Sequence, residues 1–303
     1  MTRPTPMMLD LTSLIMLLAL AALWGGSFFF AEVALRELSP LTITLHRVFW
    51  AAPILFLVVR AKGIRIPTAP GIWGRYLVMG ALNNAIPFTL IFWGQTQIAS
   101  GLASILNAMT AMFGAVVAGV LLKDEPLLPR KIAGAALGVA GVIIIMGPDV
   151  VTGFSLTNLA QLSVLSAGLS YAFASVWGRT QLSGQPPLMN ALGMVTCSVV
   201  LMLPVVLAVE GPPSLHLSPT IWAAVLGIAG LSTSLAYVLY FAILVRAGAA
   251  NLMLVTLLIP PFAIALGVLF LGESLSASAY LGFGVIALGF LVTDGRLFTG
   301  RRG

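Results

Sequence analysis

Ten stretches of this chain run for about twenty residues with almost no charge, and that feature leaves few folds open. They lie at about 11–33, 41–59, 73–93, 99–121, 130–147, 157–178, 187–209, 219–243, 249–271 and 277–293. A helix rises about 1.5 Å per residue, so about twenty apolar residues cross the ~30 Å hydrocarbon layer of a bilayer. A membrane β-barrel would instead alternate apolar and polar residues over about ten positions, and these runs are continuous. Only 8% of the residues are charged and 59% are apolar, whereas soluble domains carry about 25% charge. The expected fold is an all-α membrane protein of ten transmembrane helices, without a soluble domain. The first run follows Arg3 and contains Ala19-Leu20-Ala21, as a cleaved signal would. It continues through SFFFAEV, however, and is read as the first span.

Lysine and arginine collect in alternate connections. With the N-terminus in the cytoplasm, thirteen of the fifteen basic residues face that side: Arg3, Arg60, Lys62, Arg65, Arg75, Lys123, Arg130, Lys131, Arg179, Arg246, Arg296, Arg301 and Arg302. Only Arg36 and Arg47 fall on the other side. Such a bias orients membrane proteins, and it predicts that both termini are cytoplasmic. The net charge of +6 is confined to short loops, so nucleic acid is not an expected partner; the lipid bilayer is.

The chain also repeats itself. AGVLLKDEPLLPRKIAGAALGVAGVII matches LGVLFLGESLSASAYLGFGVIALGFLV, pairing Gly119 with Gly267, Glu125 with Glu273, Gly134 with Gly282 and Gly141 with Gly289, each 148 residues apart. Pro40 pairs with Pro187 at a spacing of 147. The halves, 1–150 and 151–303, hold five spans each. An odd number sends the second half into the membrane from the opposite side, a 5+5 inverted repeat. Many secondary transporters are built this way, with the substrate between the halves near the midplane.

Trp24 among small residues in the first span, LSP…LHR leading into the second, and an LGE…G…G ending resemble the EamA branch of the drug/metabolite transporter superfamily, most of all its YddG-type bacterial amino-acid exporters. The resemblance covers nearly the whole chain and implies ten helices, cytoplasmic termini, the bacterial inner membrane and export of small metabolites. The family pattern places a proline thirteen residues before the glutamate in both halves. Pro260 fits, but Met112 stands in the first half, so the two halves are expected to bend differently.

Residues inside the spans supply the candidate site. His46 and Arg47 lie about 100° apart on one helix. His46 shares a face with Thr42, Phe49, Trp50 and Pro53, and is the favoured cavity residue. Arg47, on the face of Ile43, Ala51 and Ile54, can pair with Glu32, snorkel outward, or bind a substrate carboxylate. Trp24, Asn83, Asn84, Asn107, Ser170, Tyr171, Trp177, Tyr237 and Tyr240 complete a candidate substrate-binding set of amides, hydroxyls and aromatic faces. Each alone reads as helix–helix glue. Together they suit small zwitterions such as amino acids. Pro53, Pro87, Pro204, Pro260 and Pro261 interrupt spans and are candidate hinges.

Gly134 and Gly138 form a small-xxx-small face that can pack the fifth and tenth spans or pair two chains as a homodimer. Glu125 and Glu273, each just before a helix, read as caps. Gly282-x-Gly284-x-x-Ala287 lacks the strand that a dinucleotide site needs. No cofactor or metal is expected. His46, His216 and Cys197 are too few and too scattered for ligands or for an enzyme's nucleophile–base set. The predicted function is secondary export of amino acids or similar metabolites by alternating access. Export of other metabolites or cationic drugs, or a channel or scaffold role, is the alternative, although no charged ring or filter loop marks a channel.

Overall fold

Prolines and hydroxyl caps punctuate the chain where helices begin. In the computed structural model, which describes residues 10–146 and 155–294, the Ser39 hydroxyl accepts from the Thr42 N–H at 3.2 Å and Pro40 opens the next helix. Ser218 and Pro219 repeat the device. Asp10 and Ser155 cap two further helices in the same way. A cap satisfies one of the amide groups that a helix leaves unpaired at its start.

The helices run in sequence as α1 Leu11–Ala34, α2 Pro40–Ala61, α3 Pro70–Gln95, α4 Ser100–Leu121, α5 Pro129–Met146, α6 Leu156–Gln181, α7 Pro187–Val209, α8 Pro219–Gly248, α9 Val255–Leu271 and α10 Ala277–Asp294. There are no strands among the described residues. Nine of these helices are long and apolar enough to cross a membrane. The exception, α9, corrects the span expected at 249–271. Gly248 at φ 79° breaks the preceding helix, and a turn at Met253–Leu254 delays the next one. The seventeen residues left rise about 26 Å. Both termini, with Arg3, Arg296, Arg301 and Arg302, and the expected boundary at 150/151 lie outside the described residues.

Packing follows the glycines. On α5 and α10, Gly134 and Gly141 face Gly289 and Gly282. A Cβ at Gly141 would stand 2.7 Å from the Gly282 carbonyl, and one at Gly289 would stand 2.6 Å from that of Gly134. Small residues permit this backbone approach where lipid supplies no hydrophobic drive. These glycine faces, considered as a surface for pairing two chains, are therefore occupied within one chain. Gly25 seats α1 on α9, with Phe262 Cβ 2.7 Å from the added atom's position. Gly80 does the same for α3 against the Met194 carbonyl of α7. Outward-facing Phe56, Leu57, Val200, Leu269 and Phe270 are exposed. That apolar surface is costly in water and favourable in lipid.

Candidate functional site: a cavity with a buried arginine at its sealed end

Two helices are wound more loosely where they face the interior. In α3, Pro87 lacks an N–H and its ring crowds the carbonyl four residues back. The backbone opens into a π-turn at Ala81–Ala85, which turns consecutive asparagines inward. Asn83 Nδ2 donates to the Tyr237 hydroxyl at 3.1 Å. That hydroxyl donates to Asn84 Oδ1 at 3.2 Å, and Asn84 Nδ2 donates to Ser198 at 3.0 Å. In α8, residues Gly227–Leu235 are also π-wound. There the Thr233 and Ser234 hydroxyls donate to carbonyls five residues back, each at 2.9 Å. Such π-turns often mark functional positions.

The α8 turn presents Thr233 to Arg47. Arg47 Nε donates to Thr233 Oγ1 at 3.0 Å, and Nη1 donates to Ser27 Oγ at 2.9 Å. The guanidinium carbon lies 3.6 Å from the Phe88 ring centroid, a cation–π contact. Arg47 is 7% exposed. No ion pair joins it to a carboxylate among the described residues. It is a permanent cation held by two hydroxyls and a ring, without an anion.

Arg47 borders a cavity of about 710 Å³. Trp24, Tyr237, Tyr240 and Phe241 form an aromatic wall, with Trp24 and Tyr240 ring centroids 5.7 Å apart. Opposite, α4 breaks at Ala108–Met109. Asn107 Oδ1 and Thr110 Oγ1, beside the break, are buried acceptors without hydrogen-bond partners. The cavity continues to the α6–α7 end past Arg179, Ser183, Gln185 and Met253. There Arg179 pairs with Asp124 at 2.6 Å and with Glu125.

The other end is shut. Gln95 Nε2 donates to the Phe28 carbonyl at 2.9 Å and to Glu32 Oε2 at 3.2 Å. Beyond Gln95 is a smaller cavity of about 330 Å³, bordered by Glu32, Arg36, Thr96 and Glu273. The Glu273 carboxylate accepts from the N–H groups of Ser100 and Gly101 at 2.8 and 3.2 Å, clasping the start of α4. Gln95 borders both cavities.

A family profile described as "EamA-like transporter family" matches residues 11–147 and again 158–293. The chain belongs to the EamA-like transporter family. This EamA-like chain is 27% identical to Protein PecM of Dickeya dadantii, covering 92% of this chain and 91% of that one. It is 26% identical to a "Probable amino-acid metabolite efflux pump" of Salmonella typhimurium (91% and 92% covered). It is 25% identical to the "Uncharacterized inner membrane transporter YedA" of Escherichia coli (92% and 90% covered). A crystal structure of a protein 16% identical aligns over 95% of this chain and 99% of the other with a TM-score of 0.67, a likeness of fold. The family is one of membrane transporters, and the apolar helices fit a multi-pass inner membrane protein.

Of the residues expected at the site, Trp24, Asn83, Asn107, Tyr171, Tyr237 and Tyr240 border the large cavity. Asn84 is buried behind Asn83. Ser170 donates to the Leu82 carbonyl at 2.7 Å and Trp177 to that of Arg75 at 3.0 Å, so both tie α6 to α3. Two expectations are corrected. His46 does not border the cavity. It is buried against Trp222, and its Nδ1 accepts from Trp50 at 3.1 Å. The Glu32–Arg47 ion pair does not form: Arg47 turns to α8, and Glu32 is bound by Gln95. Pro53, Pro204, Pro260 and Pro261 lie inside α2, α7 and α9, and none of the five prolines borders the cavity. Sequence reasoning missed Phe88, Gln95 and Ser27 as cavity residues. For the first two a signal existed, because Asn84, Phe88, Ile91 and Gln95 follow helical spacing along one stripe of α3.

Proposed function

We propose that this chain is a secondary transporter that exports amino acids or similar small metabolites across the inner membrane by alternating access. One observation carries the reading: a buried arginine without an anion partner among the described residues stands in a cavity open at one end and closed at the other. Holding an unpaired cation among apolar helices is costly unless an anion completes it. A guanidinium suits a carboxylate. The unpartnered acceptors of Asn107 and Thr110 suit the ammonium of a zwitterion. The aromatic wall accepts varied side chains. A volume of about 710 Å³ lies within the ~300–1,000 Å³ of small-molecule sites. The efflux-pump relative supports the same substrate class. Arg47 argues against cationic drugs.

In this reading the fold is a ten-helix 5+5 inverted repeat with both termini in the cytoplasm. The mouth beside Arg179 faces the cytoplasm, and the end closed by Gln95 faces outward. The span prolines serve as hinges when the two ends exchange states. The test is counterflow of labelled amino acids, nucleosides and cationic drugs in proteoliposomes. Saturable, trans-stimulated exchange of amino acids is expected. Unsaturable flux would indicate a channel, and exchange confined to cations would overturn the substrate assignment.

A further inference from the structure

Gln95 is 3% exposed and separates the two cavities. Both of its N–H bonds are placed, one on the Phe28 carbonyl and one on Glu32. Its carbonyl oxygen, Oε1, is buried and has no partner. An orphaned buried acceptor costs about 1–3 kcal/mol. As a carboxylate, Glu32 can only accept, so it meets Gln95 through one bond and leaves Oε1 unsatisfied. A protonated Glu32 has an O–H to donate. A carboxylic acid facing a primary amide then forms a two-bond ring, acid O–H to amide oxygen and amide N–H to acid oxygen. The second of these bonds is already present at 3.2 Å.

A second carboxylate borders the same small cavity. Among the described residues, the charged groups facing Glu32 are Glu273, in the connection after α9, and Arg36, in the turn that follows α1. The Glu273 carboxyl group is engaged at the start of α4, where its oxygens accept two N–H bonds. A Cβ at Gly267 would collide with that carboxylate, so the glycine makes room for it. Arg36 is exposed, where water screens its charge. Two carboxylates thus border one small cavity, and the one without backbone donors faces an amide oxygen that lacks a hydrogen.

We propose that Glu32 is a proton-binding site at the sealed end of the cavity, and that protonation locks this end shut by completing the Glu32–Gln95 hydrogen-bond ring. The step transfers one proton from water to the Glu32 carboxylate and breaks no covalent bond. By linkage, acid on this side favours the conformer seen here, open at the α6–α7 end, and loss of the proton favours the opposite one. Transport is then paced by the pH at the outer face.

The proposal rests on the alternating-access reading for its effect on transport, but not for the proton site itself, and the two are tested separately. Infrared pH-difference spectra of the detergent-solubilised protein report the acid carbonyl stretch. A band that titrates in the wild type and vanishes in Glu32→Gln is expected; a spectrum unchanged by Glu32→Gln overturns the site. The introduced amide can form the same two-bond ring permanently, so the variant is expected to fold, as gel filtration will check. In the second arm, counterflow of a mixture of the twenty tritiated amino acids is measured from acid to alkaline pH. The wild-type rate is expected to change at least fivefold, and the Glu32→Gln rate less than twofold. A variant that keeps the wild-type pH profile overturns the lock. If no amino acid exchanges at any pH, the transport reading falls and the lock with it, while the infrared arm still decides whether Glu32 takes up the proton.

Discussion

The last turns of α4 and α9 each carry a glycine, followed six residues later by a glutamate in the connection to the next helix, yet the two are arranged differently. In the second, Glu273 folds back over Gly267 and clasps the start of α4. In the first, Leu127 covers Gly119, with Cδ1 2.9 Å from an added Cβ position, and Glu125 reaches across to Arg179 and Lys131. The glutamate that bonds backbone amides is at the closed end, and the one that bonds side chains is at the open mouth. At the repeat spacing, the counterpart of Ser100 is Gly248, whose φ of 79° breaks the helix. The comparison teaches that one motif has two uses. Glu273 caps the start of α4, whereas Glu125 turns to the side chains of Arg179 and Lys131. The halves differ in a second respect. Counted from Pro40 and Pro187, Arg47 corresponds to Met194, and both border the cavity. The glycine–glutamate pair is duplicated; Arg47 is not.

Arg47 should give the largest effect. Arg47→Gln keeps hydrogen-bonding capacity but removes the charge and the fork that suit a carboxylate. The expected loss is about 3 kcal/mol, roughly a hundredfold rise in the half-saturation concentration for amino-acid counterflow. Arg47→Lys should lie between, because a point charge cannot bond two oxygens in one plane. Met194→Leu, on the matching face of the other half, should change the same value less than twofold. Equal losses at Arg47 and Met194 would show that the cavity treats its halves alike.

The two glutamates come next. Glu273→Gln removes an anion from a helix start, about 1–2 kcal/mol, and should shift the population roughly tenfold towards a closed mouth. Glu125→Gln removes an exposed pairing, about 0–1 kcal/mol in the conformer seen here. If Glu125 caps Gly248 in the opposite conformer, that variant should shift the population the other way. Spin labels at Ser183 and Met253, on either side of the mouth, report the distance in a Cys197→Ser background. Shifts of both variants in one direction would break the comparison.

Lipid explains why so much of the fold was legible. A backbone without water must satisfy itself, so long apolar runs can only be helices, and in the structure Ser-Pro at 39–40 and 218–219 stands at two helix starts. The breaks inside helices were less visible. Pro87 announces the π-turn of α3, but the π-turn of α8 has no proline, only Gly227, Gly230 and Ser232–Ser234 inside an apolar run, and the break at Ala108–Met109 has neither proline nor glycine. The site was legible as a list of residue types and not as an arrangement. His46 and Arg47 are both buried, so periodicity could not say which faces the cavity. The answer lay in Ser27 and Thr233, on two other helices. Gln95 sits at a span end, where a polar residue usually means nothing more than an interface.

The smallest expected effect belongs to the open end, where Asp10 pairs with Arg246 at 2.5 Å and caps α1 through the Ser13 N–H. The Arg246 hydrogen bond, then those from Ser13, hold the Asp10 carboxyl well below the usual carboxylate range. A depressed value in the folded state means that this contact stabilises the protein above the unfolded carboxylate value of about 3.9. The contribution is lost as the pH falls from there through the folded value. Asp10→Asn should therefore lower the thermal midpoint slightly at neutral pH, and the gap from wild type should close in strong acid. Both groups are exposed, so salt should shrink the neutral-pH gap as well. An asparagine caps a helix almost as well as an aspartate, so the substitution isolates the charge, and a gap that persists unchanged at low pH would overturn the assignment to charge.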